Sequence, residues 1–580
     1  MDSLPFGKLK PHKPRRFVPA EIDLGDWGEI GPLFEKLVAD APGCVSPAAL
    51  ESWLLNWSEL SAALDEESAR RYIAMTCHTE DQEAEKAYLY FVEKIEPEVK
   101  PKQFELAKLF VGHPLRGQLP KPRYEVFERD TRVHVELFRP ENIPLETEEA
   151  KLSQQYQKLS GSMSVQFDGS EKTLPQMARY LEETDRNVRQ ESWKLTANRR
   201  LQEAEKFEAI FEQLLVLREK IASNAGFQNY RDYAFRKMGR FDYTPADCVR
   251  FHEAVEAEVV PIVGELHEER RRHLGLETLR PWDLAVDSLN RPPLRPFAEV
   301  NEMVTRTQKI FDHLDDGLAK GFRWMQQAHL LDLDNRKGKA PGGYQSTLAE
   351  ARLPFIFMNA VGLQRDVETI LHEAGHAFHA LATREEDLYA YRSAPIEFCE
   401  VASMSMELLG NEFLEQFYSP PEAKRARRMH LEGVINVLPW IATVDAFQHW
   451  IYTHPGHSRA ERSAAWIDLL NRFGGKVDWS GYESMRANLW HRQLHIFIHA
   501  FYYIEYGIAQ LGALQVWANS KSDKAGSLQA YKRALSLGGS RPLPELFAAA
   551  GCKFDFGRAT MEPLMRGVRS ELAKQGGNGE

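Results

Sequence analysis

"LHEAGHAFHAL" (residues 371–381) places three histidines and one glutamate within eleven positions. His372, Glu373 and His376 form an H-E-x-x-H pattern. On an α-helix, residues four apart stand one turn apart, so both imidazoles leave the same face and can bind one metal ion. Glu373, about 100° further round, is placed to act on a water beside that metal. A helical wheel extends the pattern. Val367, Ile370, Leu371, Ala374, Ala377, Phe378 and Leu381 form an apolar stripe, and Arg365, Glu368, His372, His376 and His379 form the opposite one. A solvated stripe usually carries Lys, Glu and Arg rather than three histidines in eight residues. Gly375 and Ala380 flank the histidines and leave room for another group to approach.

A catalytic zinc site uses three protein ligands and keeps a position for water. The metzincin solution needs glycine at 379 and histidine at 382, and this chain has His379 and Ala382. The alternative is a carboxylate on a second helix. "RSAPIEFCEVASMSMELLG" (392–410) offers Glu400, with Ser393 as N-cap, Pro395 in the first turn and Gly410 as a stop. Small Ala402 and Ser403 would let the two helices pack closely. Glu397 competes, although a place at the positive helix N-terminus accounts for it. Glu385 and Glu386 fall in a loop. Glu368, one turn before His372, is the candidate to orient that ring through its other nitrogen. His379 is expected beside the site, not as a fourth ligand.

A second group of chemistry-bearing residues occurs in "HIFIHAFYYIEYGIAQLGALQVW" (495–517). Read as one helix, it has Phe497, Phe501, Ile504 and Ile508 on its apolar side. His495, His499, Tyr502 and Tyr506 form the other side, with Tyr503 at its edge. Imidazole N–H and phenol groups can stabilise the oxyanion formed when a carbonyl is attacked.

The rest of the chain limits the choices. Its 580 residues are 43% hydrophobic, enough for a sizeable core, and most segments show helical apolar spacing. "VRQESWKLTANRRLQEAEKFEAIFEQLLVLREKIAS" (188–223) is the longest example. The one expected sheet is central: glycine-rich "NRKGKAPGGYQS" (335–346) leads into strand-like "RLPFIFMNAV" (352–361). Proline-rich "VGHPLRGQLPKPRYEVF" (111–127) separates an N-terminal helical segment, 1–125, from a catalytic part, 126–580. A net charge of −11, without Lys/Arg clusters, argues against a nucleic-acid partner. No apolar run reaches membrane length, and the start lacks a signal-peptide core. Five scattered cysteines without a CxxC pair fit reduced thiols in a cytoplasmic protein. The sequence carries no signal of oligomeric state.

With these pieces in place, the chain resembles the thimet oligopeptidase and oligoendopeptidase F family of zinc metallopeptidases, in particular bacterial oligoendopeptidases of the Pz-peptidase type. "VETILHEAGHAFH", "EFCEVASMSMELL" and "HIFIHAFYYIEYGIAQLGALQ" carry the resemblance, which extends over roughly 160 to 555. It implies a mainly α fold: an elongated helical body with a deep substrate channel and one small β-sheet beside the zinc site. It implies one Zn²⁺ held by His372, His376 and Glu400, with Glu373 as general base. His495 and the tyrosines would bind substrate and transition state, Tyr506 foremost, partnered by Tyr502 or Tyr503. Short unstructured peptides would be the substrates, pairing with the strand "FIFMNA", and "KAPGG" would be a loop that moves around them. The implied activity is endopeptidase. A dipeptidyl carboxypeptidase, a metallocarboxypeptidase and a non-catalytic peptide-binding scaffold are the alternatives.

Overall fold

Helices follow one another along nearly the whole chain in the computed structural model, which describes residues 4–7 and 9–576. Many begin where the sequence supplies a cap. Asp26 accepts the Gly28 N–H, Ser46 accepts the Ala49 N–H just ahead of Pro47, and Asp523 accepts the Gly526 N–H. The helical expectation for 188–223 holds in type but not in continuity. It divides into Arg186–Leu201 and Ala204–Asn224. The last helix runs to Gly576, so the part of "AKQGGNGE" up to that residue is helical, and 577–580 lie outside the described residues.

Two compact units divide the chain, each assembled from non-contiguous segments. The first comprises Met1–Glu136, Arg295–Ala426 and Gly512–Phe554. Its N-terminal helices close around Ile30, Phe34, Leu37, Leu50, Leu54 and Phe110, all 1% exposed or less. Trp53 fits this apolar cluster because its Nε1–H finds the Leu37 carbonyl at 2.8 Å. The second unit comprises Leu137–Leu294, Arg427–Leu511 and Asp555–Glu580. Its aromatic core joins Tyr156, Phe207, Phe211, Trp490 and Phe497, with Tyr156 and Phe497 stacked at 4.2 Å.

Two small sheets occur among the described residues, one more than the sequence suggested. Strands β1 (Ser164–Phe167) and β2 (Ser170–Thr173) form an antiparallel hairpin around Asp168 and Gly169, both at positive φ. Asp-Gly suits such a two-residue turn, because both positions need the left-handed region. The central sheet contains β3 (Leu331–Asp334), β4 (Tyr344–Leu348) and β5 (Leu353–Ala360) in the order β3-β5-β4. β3 runs parallel and β4 antiparallel to β5. The strand expected at "FIFMNA" is therefore the middle strand, with both edges occupied. β4 pairs with Leu353–Phe357 on one side and β3 with Ile356, Phe357 and Ala360 on the other; β4 and β3 are the edge strands.

The loop between β3 and β4 is tied to its sheet. The Lys339 ammonium donates to the carbonyls of Asp332, Asp334 and Met358, and Asn359 Nδ2 donates to Ala340 and Gly342 carbonyls. Tethers at both ends hold "KAPGG" against β5.

Candidate metal centre and active site

The H-E-x-x-H segment lies on a helix, Gln364–Ala382, hereafter the motif helix. Its N-terminus is closed by Asp366, whose carboxylate accepts the N–H groups of Val361 and Leu363, both at 2.8 Å. The N-cap amide of Leu363 and the amide of Val361 just ahead of it are thereby satisfied, and a negative charge sits at the positive end of the helix. Val367, Ile370, Leu371, Ala374 and Ala377 are fully buried, so the apolar stripe is the core face.

The second helix runs Ile396–Gly410 and begins at Pro395 without a side-chain cap, so Ser393 does not fill the N-cap role expected of it. It packs tightly on the motif helix because Gly375 has no side chain: a Cβ there would stand 2.5 Å from Ser403 Cα and 2.7 Å from the Ala402 carbonyl oxygen. What enters the space beside the histidines is thus the second helix's backbone. Gly410 is the last residue of the second helix, where the sequence placed its stop, and it also serves packing. Its backbone is helical, a Cβ there would meet the Leu371 side chain at 2.9 Å, and a 3₁₀ segment, Asn411–Gln416, follows directly.

Close approach of these helices brings Glu400 to both histidines. Its Oε2 lies 3.4 Å from His372 Nε2 and 3.8 Å from His376 Nε2, and the three donor atoms lie within 4.8 Å of one another. Bonds of about 2.0–2.2 Å in a tetrahedral shell put neighbouring donors roughly 3.3–3.6 Å apart, so these residues fit a zinc ion. Ser403 Oγ donates to Glu400 Oε2 at 3.0 Å and fixes the carboxylate. Burial pushes the Glu400 carboxyl up and lowers His376 to about 3, leaving that imidazole neutral and its lone pair available.

His372 is oriented by a residue the sequence did not reveal. Its Nδ1 lies 2.6 Å from Glu407 Oε1, an arrangement in which the ring donates from Nδ1 and turns the Nε2 lone pair to the site. Glu368, expected in that role, instead accepts a hydrogen bond from Gln364 at 3.1 Å. Burial alone would lower the His372 pKa. The carboxylates of Glu407, Glu400 and Glu373 outweigh it and raise it to about 9. Glu407 follows Glu400 by seven residues, two turns along the same face, which is the signal that would have identified it.

Glu373 is 7% exposed, and burial pushes its carboxyl up to about 7. The backbone N–H of Gln345, on edge strand β4, hydrogen-bonds to it. The small sheet therefore stands beside the site, as the sequence implied. Glu397 is buried on the first turn of the second helix and is not among the converging donors.

His379 belongs to the core. It is 4% exposed, packs against Phe398 with ring centroids 6.3 Å apart, and its Nε2 has no hydrogen-bond partner. Burial lowers its pKa to about 4. The third histidine of the opening motif is neither a ligand nor a cleft residue.

In the second unit the helix expected over 495–517 is broken. A short turn, Leu494–Phe497, is followed by Phe501 at φ +66° and then by the helix Tyr503–Ser522. Buried arginines stand in for the missing helical donors. Arg218 donates to the carbonyls of Ile496 (3.2 Å) and Phe497 (2.5 Å), Arg240 donates to that of Phe501, and Gln448 Oε1 accepts the Phe501 N–H at 2.5 Å. The break still gathers the expected residues. The His495 ring lies 5.7, 4.9 and 5.8 Å from those of Tyr502, Tyr503 and Tyr506.

A short relay fixes the His495 tautomer. Trp440 Nε1 is only a donor, so its 2.9 Å contact with Gln493 identifies the Gln493 oxygen and turns the amide nitrogen to His495 Nδ1 at 2.8 Å. Nδ1 accepts, and Nε2 carries the proton as a donor. Burial lowers the His495 pKa to about 4, so the ring is neutral. The Tyr503 hydroxyl is engaged with Trp440 and Gln493 and belongs to this support. Neither Trp440 nor Gln493 carries a sequence signal.

Comparisons with known proteins bear on the family and the fold. The sequence pattern of peptidase family M3 matches residues 179–565, and that of the peptidase M3 N-terminal domain matches 17–138. The chromosomal oligoendopeptidase F of Lactococcus lactis subsp. cremoris is 24% identical over 155 residues, covering 27% of this chain and 25% of that protein. An oligoendopeptidase F homolog of Borreliella burgdorferi is 23% identical over 308 residues, covering 50% of this chain and 49% of its own. The chain thus spans a quarter to half the length of these curated relatives. A solved Pz peptidase A with an inhibitor superposes with a TM-score of 0.88 at 28% identity, over 96% of this chain and 99% of that one.

Proposed function

The chain belongs to peptidase family M3, and from that premise we propose that it is a zinc metallopeptidase, an oligoendopeptidase that hydrolyses internal bonds of short unstructured peptides. The observation that carries this reading is the convergence of His372, His376 and Glu400 beside the buried carboxyl of Glu373. The two histidines and Glu400 would hold one Zn²⁺, which when bound supplies Lewis-acid polarisation for the attacking water and the scissile carbonyl. Glu407 holds His372 in the tautomer that a metal ligand needs.

Glu373, raised to about 7, takes a proton from the attacking water and delivers it to the leaving amine nitrogen. His495 donates its Nε2–H, and Tyr506 its hydroxyl, to the developing oxyanion, with Tyr502 beside them and Tyr503 holding the frame. This assignment of His495 and the tyrosines rests on the family resemblance and on their own clustering. The peptide backbone adds to edge strand β4, adjacent to Glu373.

No described helix is long and apolar enough to cross a membrane, and the described cysteines are free thiols, which supports a cytoplasmic location. The test is a peptide blocked at both termini and incubated with the zinc-loaded protein. Internal cleavage seen by mass spectrometry supports the endopeptidase. Cleavage confined to peptides with a free C-terminus would make it a carboxypeptidase or dipeptidyl carboxypeptidase instead, and no cleavage at all a binding scaffold.

A further inference from the structure

Two helical segments in the second unit each carry two ligand-type side chains one turn apart. Cys248 and His252 occupy positions i and i+4 of Pro245–Glu258, and Asp445 and His449 occupy i and i+4 of Pro420–Thr453. The peptidase mechanism uses none of them. Cys248 and Asp445 have no exposed surface, and His252 and His449 are 3% and 8% exposed. One donor atom each from Cys248, Asp445 and His449 lies within 4.8 Å of the other two. His449 Nε2 stands 3.3 Å from Asp445 Oδ2 in poor hydrogen-bond geometry, a spacing that suits two neighbouring ligands of one metal. Asp445 Oδ1 also lacks a hydrogen-bond partner. A carboxylate oxygen and a ring nitrogen this deeply buried each call for a partner. His252 Nε2, 2.8 Å from Asp445 Oδ2, provides the outer hydrogen bond that commonly orients a ligating carboxylate.

We propose that Cys248, Asp445 and His449 bind a second divalent metal ion, with His252 positioning Asp445. One thiolate, one imidazole and one carboxylate favour Zn²⁺ over the hard cations. On binding, the Cys248 Sγ–H bond breaks, the proton goes to solvent, and the sulfur electron pair forms the bond to the metal. The ion would tie the two helices together directly under the Phe501 bend. The His449 ring packs against Phe501 at 5.5 Å, and Phe501 carries the positive-φ break between His495 and Tyr506. Its role is to stiffen the floor of that turn.

The experiment is metal analysis of full-length protein after zinc reconstitution and dialysis, with Co²⁺ as a spectroscopic probe. Wild type is expected to hold two equivalents, and the His372→Ala/His376→Ala variant to keep one, so the second site is read independently of the peptidase site. Co²⁺-loaded wild type should show a near-ultraviolet thiolate-to-cobalt charge-transfer band, since none of the ligands at the peptidase site is a thiol. Cys399→Ala should keep the band and Cys248→Ser should lose it. If Cys248→Ser does not fold, the wild-type spectrum and the double variant still decide. One equivalent in wild type, none in the double variant and no charge-transfer band would overturn the proposal. The cluster would then be a buried hydrogen-bonded network only.

Discussion

Glu407 Oε1 lies 2.6 Å from His372 Nδ1, while His372 Nε2 faces Glu400 Oε2 at 3.4 Å. One imidazole thus spans two carboxylates of the same helix, one positioned to share a metal and the other to set the ring's proton. Removing the outer partner typically weakens metal affinity by about 10–100-fold. Glu407→Ala should show a loss of that size in a chelator competition with Zn²⁺, with helical content unchanged. Glu407→Gln, which keeps an acceptor without the charge, should lose less. Unaltered affinity in both variants would remove Glu407 from the site.

Gly375 sets the distance between the motif helix and the helix carrying Glu400. Alanine there must displace backbone, not a flexible side chain, because the nearest atoms are Ser403 Cα and the Ala402 carbonyl. Gly375→Ala should destabilise the protein by about 1–3 kcal/mol and weaken zinc binding as well. Denaturant unfolding and metal titration measure the two effects. A variant as stable as wild type with full affinity would show that the helices are free to separate.

His379 contributes to pH-dependent stability rather than to catalysis. Its folded pKa, lowered to about 4 by burial, lies below its ordinary value near 6.5. The unfolded chain therefore binds the extra proton first. The stability associated with a neutral His379 is fully present above about 6.5 and is lost as pH falls from there towards 4. His379→Leu should keep zinc and activity and should lose less stability than wild type between pH 7 and pH 5. An equal acid sensitivity in both proteins would show that His379 is not the group responsible.

The tyrosines should separate by role. Tyr506→Phe removes a proposed oxyanion donor and should lower kcat by about 10²–10³-fold with little change in KM. Tyr503→Phe disturbs the Trp440–Gln493 support and should have a smaller effect. Equal losses, or a change confined to KM, would reassign Tyr506 to substrate binding.

The parts of the site legible in the sequence are those with helical periodicity. His372, Glu373 and His376 stood out as candidates by their spacing, and Glu400 by the small residues beside it. Glu407 was overlooked because it occupies the next two turns of a helix already credited with its ligand. The break at Phe501 could not be read, since a large apolar residue at positive φ is imposed by Arg240 and Gln448 from distant segments. The β1–β2 hairpin has the Asp-Gly turn signal, but its strands are four residues long and largely polar, so alternation was too short to register. Strand β5 was legible from its composition. Its central place in the sheet depends on pairings that a local pattern does not encode.

The most direct test is Glu373→Gln, measured for zinc content and for kcat/KM on a short fluorogenic peptide. Glu373 stands beside the donor set, not within it, and only its ionised carboxylate can take a proton. The variant should hold as much zinc as wild type while kcat/KM falls by about 10²–10⁴-fold. A zinc-loaded Glu373→Gln protein that cleaves the peptide at the wild-type rate would contradict the account.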